Sequence, residues 1–465
     1  MTIETKWFPQ KSTFVATAAV GAMLLAGCVQ SGVVESDRML NPYTSEPEVA
    51  WTAEFPSESG SLSFLLSWPE KSAVVAIFEP EFTFSFEDSP GPTILVLDVE
   101  TGDVIDEVFL LDLAPVDGDW SYYYLGAEIL RSGELMLSIT PSFREEDSHI
   151  VQVAPTSFDD IKTLSVTNSF VAGFPLDFDK DARFWLDGDT NELEFLGPDL
   201  EVSADSPSLN LDDYDLEGSI PSIEGLMFSD RSSDRSVVFE FYDPETGSEL
   251  YAPLVLSRGS SSERISFVGE LGEGLLFASG ERGSDQWELL LVDWEGEILE
   301  TRDARVAEGS APFEFVAVNS DQAFLIEQFR DDFSVVVLNS TLEETAALPV
   351  DRVNDLVFSS QFIEQERGNQ LILIDEGSFA LLDTASNEVS RFRALSDGTF
   401  ASAGVGFSRD AFFVQDRGRL TSYSFALESN WSFNVRDDEE IFRAGRHLFL
   451  VDTEKETLML LSESP

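Results

Sequence analysis

GLLFASG (274–280), QAFLIEQ (322–328), QLILIDE (370–376), DAFFVQD (410–416) and RHLFLVD (446–452) are five versions of one short phrase. Each is a run of four or five apolar residues closed off by polar residues or glycine, which is the pattern of a short buried strand. Further strand-like runs follow most of them, among them QWELLLVDWEG (286–296) then EILETRDA (297–304), and FSVVVLNSTLE (333–343) then EETAALP (343–349). The phrases recur at spacings of about 48, 48, 41 and 36 residues. A period near 40–50 residues with several short strands per repeat marks a β-propeller blade. No window of useful length repeats apolar residues at three and four, so the fold class is all-β.

Working outward from this half, nine such phrases can be counted, centred near 82, 134, 183, 225, 275, 323, 371, 412 and 448. Propellers typically have four to eight blades. The expectation is therefore a small β-sandwich over 48–156 followed by a propeller of about seven blades over 157–465. The last repeat, 439–462, has three strands and then the chain ends. An open edge there is an aggregation hazard, so an upstream strand should close the ring. DDIKTLSVT (159–167) is expected in that role. EVAWTAEF (48–55) is its rival, and goes with a single eight-bladed ring.

Composition narrows the partners. The chain carries 28 Lys plus Arg against 87 Asp plus Glu, a formal charge of −59, and 43% hydrophobic residues. A core of ordinary size is available, but a surface this acidic repels nucleic acid and anionic lipid, so nucleic-acid binding is excluded. The acids are spread along the whole chain, which suits salty surroundings that screen self-repulsion.

The N-terminus carries an address. Lys6 and Lys11 precede an apolar run at 12–27, and the run ends in Leu25-Ala26-Gly27-Cys28. This is the layout of a signal peptide over 1–27. It resembles the lipobox of bacterial lipoprotein precursors, which implies lipidation of Cys28, cleavage before it and a membrane anchor outside the cytoplasm. Val29 is not the Asp that signals inner-membrane retention in that family, which implies the outer membrane in a Gram-negative organism. Cys28 is the sole cysteine, so no disulfide competes for it. Residues 28–47 are polar and aperiodic and are expected to be a flexible tether.

Two turns carry a second resemblance. Asp98-Thr101-Gly102 and Asp243-Thr246-Gly247 are similar to the strand-ending turn of PQQ-like propeller repeats, while Asp293, Asp383 and Asp452 keep only the Asp. The docking Trp of that family has no constant place here. In lipid anchor and blade type the chain resembles the propeller lipoprotein of outer-membrane barrel assembly machinery.

Candidate chemistry is sparse. Asp177, Asp179 and Asp181 alternate as the first ligands of a calcium loop do. Ala182 stands where such a loop needs Gly, and Gly188 stands where it needs the bidentate Glu. Calcium is thus the one cofactor to consider, against a plain solvated loop. Asp212, Asp213, Asp215 and Glu217 form a weaker acidic cluster. His149 and His447 are the only histidines, both expected at an edge or surface. No HExxH, GxSxG or GxxxxGK[ST] motif occurs. Tyr122–Tyr124 is the one aromatic cluster that could present a face. The reading is a lipid-anchored envelope protein that binds a partner protein or glycan without catalysis. The alternatives are a propeller enzyme on extracellular polysaccharide or a quinone-linked substrate, and a calcium-stabilised structural protein.

Overall fold

The computed structural model describes Val33–Val34 and most of residues 43–463; the longer segments outside it are 56–60, 80–90, 115–122, 142–146, 176–179, 306–315, 351–358, 364–369, 384–387 and 393–404, with shorter breaks elsewhere. Nine sheets make up the described residues: seven are antiparallel meanders of four consecutive strands, one adds Val33–Val34 as a fifth, parallel strand, and the last takes its fourth strand from Glu48–Glu54. Blades 1 to 5 start with strands Ser61–Trp68, Tyr123–Ile129, Ser169–Pro175, Tyr214–Ile220 and Glu263–Leu271. Blades 6 to 9 start with Val316–Val318, Ser359–Ile363, Val405–Phe407 and Glu439–Ala444. First strands touch first strands between blades 9 and 1, 1 and 2, 4 and 5, and 5 and 6, so they line the axis and the fourth strands form the rim. The fold is an all-β propeller.

The repeated apolar phrases are the second strands. Ala73–Glu79, Gly225–Asp230 and Gly274–Glu281 are buried along almost their whole length, because both faces of these strands are covered by neighbouring blades. The core is correspondingly a series of layers between blades. One layer holds Trp68, Val75, Ile94, Leu137 and Val151 between blades 1 and 2. Another holds Phe184, Phe195, Phe228 and Tyr242 between blades 3 and 4. A third holds Phe239, Phe277, Leu275 and Leu290 between blades 4 and 5.

The division of the chain differs from the sequence expectation. Residues 48–156 do not form a sandwich. They supply blade 1, most of blade 2 and the strand that completes blade 9. The phrase expected near 82 lies outside the described residues. The strand expected to close the ring, Ile161–Thr167, pairs locally with Asp147–Val153 as the rim strand of blade 2. The rival closes it: Glu48–Glu54 lies antiparallel to Thr457–Ser462, with a bulge between Val49 and Trp51. Trp51, Ala53 and Phe55 then pack with Leu95 and Leu97 of blade 1 and Phe449 and Leu458 of blade 9.

The expected tether also stops short of Pro47. Tyr43 is buried between blades 8 and 9. Its hydroxyl donates to Leu461 O at 2.9 Å and accepts from Leu448 N–H at 3.1 Å. Trp431 Nε1–H donates to Tyr43 O at 2.6 Å. Upstream, Val33–Val34 runs parallel to Phe362–Ile363 on the first strand of blade 7.

Candidate functional site: the seams and the rim

The strand-ending turns explain how successive blades lock together. Asp98 Oδ1 accepts the N–H groups of Glu100 and Thr101, both at 2.9 Å, and Gly102 follows at φ +75°. These donors hold the exposed Asp98 carboxyl below the usual range. A Cβ on Gly102 would meet the Trp51 ring at 2.5 Å, and Trp51 Nε1–H donates to Val99 O at 3.0 Å. The docking aromatic thus arrives from the closing strand of the preceding blade. Asp243 repeats the arrangement in blade 4, with Phe195 of blade 3 against Gly247. Asp293 and Asn339 cap the equivalent turns of blades 5 and 6. Asp452 instead ends the second strand of blade 9 and is buried beneath Arg436 and Lys455. Turn chemistry was legible in the sequence; the donor of the docking ring was not, because it lies in another blade.

Several of the scarce cations sit at the seams. Lys162 of blade 2 reaches Asp199 of blade 3 at 2.9 Å. Lys180 of blade 3 reaches Asp243 of blade 4 at 2.6 Å. Arg302 of blade 5 bridges Glu327 and Glu344 of blade 6 at 3.5 and 3.2 Å. Lys71 lies 4.5 Å from the Trp68 ring and 5.5 Å from that of Phe158, joining blades 1 and 2 through cation–π contact. Burial alone would push Asp243 up, but the hydrogen bonds from Lys180 and Thr246 hold it below the ordinary carboxylate range.

The calcium candidate divides. Asp177 and Asp179 lie outside the described residues. Asp181 is 2% exposed, accepts the N–H groups of Arg131 (2.6 Å) and Ser132 (3.1 Å) from blade 2, and sits 3.6 Å from Arg183. Its carboxylate joins two blades and is turned away from solvent. Arg183 is itself buried and also meets Glu134 at 3.3 Å. On this same seam Arg183 Nε and Nη1, Trp185 Nε1 and Gln152 Oε1 are buried without a hydrogen-bond partner in the protein.

The second acidic cluster is dispersed in the same way. Asp215 and Glu217 clasp Arg231, Glu217 also accepts Phe267 N–H from blade 5 at 3.1 Å, and Asp212 accepts from Asn191 at 3.2 Å. His149 is buried, not at an edge, with Nδ1 2.8 Å from Ser165 Oγ. Burial, then the Arg446 charge, holds His447 below the ordinary imidazole range. No group of three or more His, Cys, Asp or Glu set to hold a metal occurs among the described residues. Cys28, Tyr122 and the side chains of Tyr123 and Tyr124 also lie outside them.

No local pattern in the sequence marks the rim. Its exposed large apolar residues are concentrated on fourth strands: Val104, Ile105 and Phe109 on blade 1, Tyr251 and Val255 on blade 4, Ile298 and Leu299 on blade 5, and Val49 on the closing strand. Among the described residues each of these strands is paired along one edge only within its sheet. Apolar side chains beside free backbone donors and acceptors make a surface suited to another chain.

Comparison with known proteins adds fold-level likeness only. No family model matches the chain, and no curated protein matches it. Among solved structures it is similar to a eukaryotic initiation factor, at 10% identity and TM-score 0.42, covering 82% of this chain and 89% of that one. It is similar to apo AztD from Citrobacter koseri at 12% identity and TM-score 0.36, covering 79% and 87%. The Swd1 β-propeller domain from Myceliophteria thermophila matches at 9% identity and TM-score 0.31, covering 90% and 100%. At these values the propeller assignment rests on the chain's own sheets. Among the described residues no helix is long and apolar enough to cross a membrane.

Proposed function

We propose that the protein is a lipid-anchored module of the cell envelope that holds a partner on the rim of its propeller and performs no catalysis. The observation that carries this reading is the row of exposed apolar side chains on single-edged rim strands of an otherwise acidic molecule. Apolar residues scattered singly need no explanation, whereas grouped ones on free strand edges favour association. Several described ion pairs join neighbouring blades, as a rigid scaffold requires. Acylation of Cys28 would tie the scaffold to the outer face of the cytoplasmic membrane, or to the outer membrane where one exists.

The test is affinity capture of the tagged, lipidated protein from gently solubilised native membranes, with Cys28→Ser as control. A stoichiometric envelope partner, lost on charge substitution of Ile105 and Phe109 or of Tyr251 and Ile298, supports the reading. Recovery of the protein alone across detergents and salt concentrations overturns it. Palmitate labelling that persists in Cys28→Ser overturns the anchor.

A further inference from the structure

The rim between blades 4 and 5 is both aromatic and acidic. The fourth strand of blade 4, Glu249–Ser257, carries Tyr251 opposite Phe241. The turn after Asp293 in blade 5 presents Trp294. The Tyr251 and Trp294 rings are 5.3 Å apart at 35°, and Phe241 backs Trp294 at 5.8 Å. Tyr251 keeps 49% of its surface and Ile298 53%. Ile298 pairs with Val292, whose side chain lies in the layer between blades 4 and 5, so Ile298 belongs to the same side of its sheet. The space beside the turn is open: a Cβ on Gly296 would meet only Leu254 Cγ, at 3.8 Å.

Charge selects the occupant. Segments 249–251 and 291–299, which build this corner, contain Glu249, Asp293, Glu295 and Glu297 and no Lys or Arg, while the Asp243 turn faces blade 3. Lys180 answers Asp243. Glu295 and Glu297 are exposed on the turn that carries Trp294. Aromatic faces attract cations through their quadrupole, and surrounding carboxylates raise the local cation concentration. Tyr and Trp also anchor protein interfaces out of proportion to their number.

We propose that this groove binds an extended, arginine-bearing segment of a partner protein, with a guanidinium stacked on the pair formed by exposed Tyr251 and half-buried Trp294 and aliphatic side chains against Ile298. This rests on the reading of the rim as an interface and names the partner's chemistry. Arginine suits the site better than lysine because its planar guanidinium stacks on rings while bonding carboxylates at its edge.

The probe is an eight-residue peptide alternating arginine and valine, titrated calorimetrically into the full mature chain carrying Cys28→Ser. Its glutamate–valine counterpart and a chitin hexasaccharide serve as controls. Trp294→Ala should weaken the arginine peptide at least tenfold, while Trp294→Phe stays within about threefold, as a cation–π face predicts. Glu295→Gln with Glu297→Gln should weaken it severalfold at low salt and leave it nearly unchanged at about 1 M salt, where screening acts over a few ångströms. Thermal melts check that each variant is folded, and Tyr251→Ala reads the same groove if Trp294→Ala is not. Equal binding to wild type and Trp294→Ala, no binding of the arginine peptide, or preference for the hexasaccharide overturns the proposal. If capture from membranes still recovers a partner with Trp294→Ala, the groove falls and the scaffold reading stands. If neither protein recovers one, the scaffold reading falls as well.

Discussion

Removing one oxygen from Tyr43 tests how the ring is closed. The Tyr43 hydroxyl is held by two buried backbone groups, Leu461 C=O at 2.9 Å and Leu448 N–H at 3.1 Å. Tyr43→Phe keeps the ring, its edge-on packing against Phe413, and the bond from Trp431 to the Tyr43 carbonyl. It leaves one buried acceptor and one buried donor with a partner fewer. At about 1–3 kcal/mol for each such group the loss is about 2–6 kcal/mol. Tyr43→Ala adds the loss of the ring, about 3–5 kcal/mol for a buried aromatic. Urea unfolding of the Cys28→Ser chain, followed by tryptophan fluorescence, measures both variants. The pH dependence carries a sign. Burial pushes the Tyr43 hydroxyl up to about 12 from its ordinary 10.0. A group whose folded pKa is raised contributes its stabilisation fully below the unfolded value and loses it as pH rises through the folded one. The gap between wild type and Tyr43→Phe should therefore be constant up to about pH 10 and close between about pH 10 and 12. A Tyr43→Phe chain within about 0.5 kcal/mol of wild type, the range of ordinary surface changes, would refute the view that this segment is a structural latch.

Three further outcomes follow from the seams. Gly102→Ala should destabilise by about 2 kcal/mol or more, because its Cβ enters the Trp51 ring from a φ of +75°; equilibrium unfolding with Gly133→Ala as a reference turn checks it. Lys180→Met should cost about 1–3 kcal/mol near neutral pH. That cost should shrink in acid below the ordinary Asp value of 3.8, where Asp243 protonates, and in alkali above the ordinary Lys value of 10.5, where Lys180 loses its proton; an unchanged difference at pH 3 would refute the pairing. Asp181→Ala should lower the melting temperature equally with calcium and with chelator, since its carboxylate binds Arg131 and Ser132 N–H groups of the neighbouring blade. A calcium-dependent difference would restore the metal reading.

The repeats at 274, 322, 370, 410 and 446 were legible because second strands are covered on both faces and read as unbroken apolar runs. First strands such as Glu263–Leu271 line the axis, are only partly buried and carry a mixed pattern, so they escape such a count. Asp98 and Asp243 were legible for a similarly local reason, since each serves donors two and three residues ahead. Asp181 marks where local spacing stops informing. Its spacing from Asp177 and Asp179 suggested a shared ligand, while its actual partners lie some fifty residues upstream in another blade.

By itself the sequence determined an all-β chain of repeated blades, a strongly acidic composition, and the turn residues that end individual strands. All of these depend on composition or on residues a few positions apart. The tertiary structure decided that residues 48–54 close the ring, that blades number nine among the described residues, that Trp51 docks on Gly102, and that Tyr251 meets Trp294. Those contacts join residues about 40 to 400 positions apart. Their partners are chosen by how the blades pack in space, and nothing in the local pattern records that choice.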